Sequence, residues 1–133
     1  GRLDACGLQD AYQYEGAIDR EAKLEFFRNI DLLSVPTAFQ EPKGLYALEA
    51  MAAGVPVVLP AHGAFPELLE ASGGGVLFEP GNETELAQTL SKLLLDDERR
   101  LNLSCTGQQF IHQHRNASVM AASTSEIIKK FLA

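Results

Sequence analysis

The sequence predicts an α/β protein: a parallel sheet of about four short strands with flanking helices. Three observations point that way. Short apolar runs, "DLLSVPTAF", "VPVVLP" and "GGGVLFEP", sit between Pro and Gly residues, as buried strands do. Segments with a period of about 3.6 residues lie between those runs. Helix-capping residues (Asp19, Gly54, Asn82) fall at the junctions. Buried strands alternating with helices imply parallel pairing through right-handed crossovers. At 133 residues the chain is long enough for one compact domain and too short for two, so 1–133 reads as a single unit.

Residues 1–11 show no period and read as a leading loop or tail. Tyr12 to Glu15 alternates weakly up to Gly16 and reads as a first strand ending in a tight turn. Asp19 caps a helix with Leu24, Phe27 and Ile30 on one face and Phe26 beside them. Leu32 to Val35 is a second strand, closed by Pro36. Leu45 to Ala53, rich in Ala, Leu and Met, is a helix that stops at Gly54. The "VPVVLP" run is a third strand, and Phe65 to Ala71 a short helix with Pro66 in its first turn. Val76 to Phe78 is a fourth strand. Asn82 then opens a helix whose Leu86, Leu90, Leu93 and Leu94 form a core stripe. "LDDERR" reads as a solvated turn before two more helices, Glu98 to His114 and Val119 to Leu132.

Composition removes several function classes. With 46% hydrophobic and 22% charged residues the chain is globular. No apolar run reaches the ~18 residues of a membrane span, and no basic segment followed by an apolar one opens the chain, so a cytoplasmic location is expected. A net charge of −7 argues against nucleic-acid binding, which needs clustered Lys and Arg. Cys6 and Cys105 stand alone, read as reduced thiols, and make no metal-ligand pattern. No nucleophilic triad or Walker loop is present. His62 sits in a loop at a strand end, where a solvated role and a ligand contact are equally open.

The chemistry concentrates in "EPKGLYALEAMAAGVPVV", Glu41 to Val58. Open parallel sheets bind ligands beyond the carboxyl ends of their strands. Pro42 holds Glu41 in the loop. Gly44 lets backbone approach a ligand, and the amides of Lys43, Gly44, Leu45 and Tyr46 start a helix, a cradle for phosphate. Glu49 lies further along the same helix, at about 1.5 Å of rise per residue. A carboxylate only accepts hydrogen bonds, so it suits sugar hydroxyls rather than phosphate. Two such groups flanking an amide cradle match a nucleotide diphosphate sugar.

This stretch resembles the E-x7-E motif of retaining glycosyltransferases of the two-domain GT-B fold, above all glycosyltransferase family 4. Glu41 and Glu49 fit its two glutamates, and "EAMAAGVPVV", "DLLSVPT", "GAFPELL" and "GGGVLFEPGN" follow the family's text. The similarity covers roughly residues 12–95. It implies a Rossmann-like sheet forming part of the C-terminal, donor-binding domain. Glu41 would contact the hydroxyls of the transferred hexose as the catalytic group, and Glu49 would hold the ribose. The amides around Lys43, Gly44 and Leu45 would take the diphosphate. Gly16, Ala17 and Ile18 would border the base, and Pro36 and Thr37 would shape the pocket floor. No essential metal or other cofactor is implied. The acceptor, a sugar, lipid or polysaccharide, would meet a separate N-terminal domain, and the full enzyme could associate peripherally with a membrane.

The chain also departs from the pattern. "GRL" at residues 1–3 matches a family segment only by coincidence, because no Lys-Gly follows to neutralise the leaving diphosphate. Lys43 replaces a usual aromatic, and Ala64 a usual second glycine. The expected consequences are an inactive isolated chain and self-association through uncovered sheet edges. The alternatives are a non-catalytic nucleotide-sugar-binding or oligomerisation module of the same fold, or a nucleotide-sugar epimerase.

Overall fold

The computed structural model describes residues 2–132. Gly1, the first residue of the "GRL" triplet, lies outside the described residues, as does Ala133. The elements, in chain order, are α1 (Arg2–Ala5), α2 (Arg20–Arg28), β1 (Leu33–Ser34), α3 (Leu45–Ala52), β2 (Val57–Pro60), α4 (Phe65–Ser72), β3 (Gly75–Phe78), α5 (Glu83–Leu94), α6 (Asp97–His114) and α7 (Ala117–Leu132). The three strands pair in parallel in the order β1-β2-β3, with Leu33 opposite Val57 and Val57 opposite Gly75. An α/β parallel sheet with flanking helices is therefore what the chain forms.

The central strand explains the two-faced core. Every residue of β2 is buried. Alternate side chains leave opposite faces of a strand. Val57 and Leu59 join Phe27, Met51, Phe65 and Ile111 on one side. Val58 joins Phe78 and Leu93 on the other. Helices α2, α3, α4 and α6 thus share one face while α5 covers the other. Helix α6 also braces the trailing end of α3. Gln108 Nε2 and His112 Nε2 both donate to the Ala52 carbonyl, at 3.2 and 3.0 Å, and Ser104 Oγ donates to that of Gly54 at 2.5 Å. Those carbonyls have no partner within their own helix. The close approach depends on two glycines. A Cβ on Gly107 would lie 2.7 Å from the Cα of Gly74.

Four expectations need correction. Tyr12 to Glu15 is not a strand, so the sheet has three strands rather than four. Its alternation offers only tyrosines against Gln13 and Glu15, and both Tyr12 and Tyr14 are exposed. So little burial does not stabilise an edge strand. Residues 2–5 form a helical turn where only a loop was expected. "LDDERR" is not a solvated turn throughout, because Asp96 accepts from the Arg99 amide and starts α6 at Asp97. Leu93 is buried, but Leu94 is half exposed and leaves the stripe at Leu86, Leu90 and Leu93. The Asp19 and Asn82 caps and the Gly54 stop form as the sequence indicates.

Candidate functional site

The site begins where β1 gives way to α3. Gly44 precedes the helix in the left-handed region, at φ 63° and ψ 42°. Only glycine adopts that conformation without strain, and a Cβ there would also lie 2.9 Å from the Phe65 ring. Glu41 folds back over this start. Its Oε1 accepts from the amides of Lys43 (3.3 Å) and Gly44 (3.2 Å). Two of the four cradle amides are thereby taken up by the chain's own carboxylate. Among the described residues no chain acceptor meets the next two, Leu45 and Tyr46. The amides of Ala47 and Leu48 already turn inward to the Gly44 carbonyl. The amides left without a chain acceptor at this helix start are thus those of Leu45 and Tyr46, at the positive end of the α3 dipole.

The Tyr46 side chain, of which the sequence reading used only the backbone amide, stands beside this carboxylate. Its ring is tilted against Phe65 at 6.2 Å. Burial, and secondly the Glu41 charge, hold its phenol above the usual tyrosine range. The side chain of Lys43 is exposed.

Glu49 stands elsewhere on the helix. It is exposed on the flank of α3, and its Oε1 takes Lys23 Nζ of α2 at 2.7 Å. An open cleft of about 540 Å³ lies here, with Arg20, Lys23, Phe27, Glu49 and Ala53 among its walls. Two cations and one carboxylate give this hollow a local positive balance within a chain of net charge −7. The helix spacing placed Glu49 correctly outward, but nothing in α2's own pattern marked Arg20 and Lys23 as its neighbours. Gly16, Ala17 and Ile18 run exposed up to Asp19, the cap of α2, and so reach the rim of the same helix.

Pro36 and Thr37 fall in a second hollow, of about 190 Å³, between the end of β1 and the start of α5. Thr37 shares its loop with Glu41, while Pro36 and Thr37 are not among the walls of the Glu49 cleft. The structure therefore gathers Glu41, Lys43, Gly44 and Leu45 at one helix start, with Glu49 about one turn along α3 and Thr37 in the preceding loop. His62 is partly buried: its Nε2 donates to the Thr37 carbonyl at 2.9 Å, and its Nδ1 is buried without a partner among the described residues.

A three-stranded parallel sheet with flanking helices is an α/β arrangement found within GT-B glycosyltransferases, of whose chains it covers only part. The chain belongs to the glycosyl transferases group 1, whose family model matches residues 2–110. It is similar to D-inositol 3-phosphate glycosyltransferase of Corynebacterium efficiens, 35% identical over 104 residues that make up 78% of this chain and 24% of that protein. Among solved structures it superposes on sucrose-phosphate synthase of Thermosynechococcus elongatus with a TM-score of 0.87, at 25% identity, over 98% of this chain and 33% of that one. It also superposes on the C-terminal domain of a group 1 glycosyl transferase, LpcC of Francisella tularensis, with a TM-score of 0.77, at 26% identity, over 87% of this chain and 60% of that one. The chain thus spans about a quarter of the length of the curated relative.

Proposed function

We propose that this chain is the donor-binding portion of a retaining, family 4 glycosyltransferase that moves a hexose from a nucleotide diphosphate sugar to an acceptor hydroxyl. The observation that carries the reading is the leading end of α3. There two amides lack a chain acceptor, Glu41 lies to one side, and Glu49 stands further along, facing a cleft with two cations. The diphosphate would lie on the Leu45 and Tyr46 amides. The nucleoside would extend along α3, its ribose hydroxyls on Glu49 and its base toward Gly16, Ala17 and Ile18. Lys23 occupies only one oxygen of Glu49, and an exposed ion pair of this kind is worth little, so ribose can share that carboxylate. Glu41 would use its second oxygen to orient the hexose.

In the transfer itself the bond from the anomeric carbon to the phosphate oxygen breaks. A bond from the acceptor oxygen forms on the same face, and the acceptor's proton passes to the departing phosphate. The helix-start amides would offer the positive field that a departing diphosphate needs. The acceptor would be held by a further domain, so this chain alone binds donor without turning it over.

Titration calorimetry with UDP, GDP and ADP sugars tests the reading. One nucleotide should bind, and Glu49→Gln should weaken it about tenfold, the effect of losing a charge-assisted hydrogen bond. Silence across the panel would favour a non-catalytic module. One feature supports that second reading: Glu41 Oε1 is already engaged by the amides of Lys43 and Gly44 just before α3.

A further inference from the structure

The loop that carries Glu41 is bonded to the loop after β2 at two points. Ala64 N donates to the Glu41 carbonyl at 2.9 Å. Gly63 packs so closely that a Cβ would lie 2.6 Å from that same oxygen and 2.8 Å from the Glu41 nitrogen. His62 closes the contact from the other end, with Nε2 on the Thr37 carbonyl. A carbonyl only accepts, so Nε2 carries the proton and the buried Nδ1 keeps a lone pair rather than an unmet donor. The imidazole itself is fixed. Its backbone amide donates to Pro60 at the end of the central strand, and its ring leans on Phe65 at 6.3 Å, tilted by 30°. Thr37 is held in turn, since its amide donates to Val35 and its Oγ1 accepts from Phe39.

We propose that His62 is a positioning residue: it clamps Thr37, and with Ala64 at the other end fixes the 37–41 loop so that Glu41 is held over the start of α3. Nothing in the pattern around the two glutamates requires a histidine here. The role rests on the reading of Glu41 as the hexose-orienting group, but the clamp is observable without any ligand. Two loops gripped at both ends leave the carboxylate little freedom to swing, and a hexose-binding group gains from being held before the ligand arrives.

Amide hydrogen exchange by NMR on the 133-residue chain tests the clamp, and calorimetry with the nucleotide sugar that the wild type binds tests its consequence. His62→Phe keeps a ring against Phe65 and removes the donor. His62→Gln keeps a donor. In His62→Phe the amides of Gly44 and Ala64 should exchange about tenfold faster, the size expected for one lost hydrogen bond, while those of Val58 and Leu59 stay unchanged and report an intact fold. Donor affinity should fall by a similar factor, and His62→Gln should restore both. Unchanged Gly44 and Ala64 exchange in His62→Phe overturns the clamp even if the donor still binds. Faster exchange with undiminished affinity overturns the link to Glu41. A wild-type chain that binds no nucleotide sugar sinks the reading of the site and the donor role of His62 with it, and exchange then decides the clamp alone.

Discussion

At Gly44 the chain turns from loop to helix through a left-handed conformation, directly against the Phe65 ring. Gly44→Ala should therefore cost about 1–3 kcal/mol in urea unfolding, from backbone strain and displacement of the ring. Tyr46 offers a second check. Its phenol is held above the usual range by burial and then by Glu41. In a chain with Tyr12 and Tyr14 changed to Phe, ultraviolet titration should show ionisation above the ordinary value of about 10, and Glu41→Gln should bring it part of the way down. The folded phenol keeps its proton longer than the unfolded one, so stability declines as pH rises past about 10, and Tyr46→Phe should flatten that decline. Gly44 was legible from sequence because a Gly after Glu-Pro at a helix start is a local signal. The contacts of His62 and Tyr46 were not. They join residues up to 25 positions apart, and no periodicity encodes which loop tip meets which.

The element that most determines the site is β2, whose four residues are all buried and which carries the loop that holds Glu41. Leu59→Ala should lose about 2–5 kcal/mol, whereas Leu95→Ala, 88% exposed at the α5–α6 turn, should stay within about 0.5 kcal/mol. Denaturant titration of the pair checks both. Strands β2 and β3 and helices α3 to α5 could be read in the sequence because caps and apolar runs agree there. The Tyr12 segment could not, because two tyrosines between polar residues look like a strand whether or not a partner strand exists. The acidic run at Asp96 and Asp97 misled for the opposite reason: the same residues that suit a turn also cap and lead a helix.

Across the whole molecule, distant parts meet at the crossing of α6 with the loop before β3. Exposed Gly→Ala changes in helices usually stabilise, by about 1 kcal/mol. Gly107→Ala should instead lower the unfolding midpoint, because the added methyl would meet the Gly74 backbone. The same scale governs activity. With only about a quarter of the curated relative's length present, the expected result of a transfer assay on this chain is donor binding without product. Robust turnover would show that acceptor contacts lie within these residues. The family was legible because its motif text is local and dense. The pairing of α6 with α3 was not, since Gln108 and His112 reach Ala52 across more than 50 residues of intervening chain.

That brace has a consequence for how the protein can be divided. Helix α3, whose front end carries the proposed donor site, has its back end held by groups from Ser104, Gln108 and His112. A protease cut at the exposed Leu95 that releases everything downstream would strip those donors from the Ala52 and Gly54 carbonyls and uncover Met51. The upstream piece, although it keeps both glutamates, should melt well below the uncut protein in circular dichroism. The smallest unit expected to hold the start of α3 in a fixed place therefore runs at least through His112.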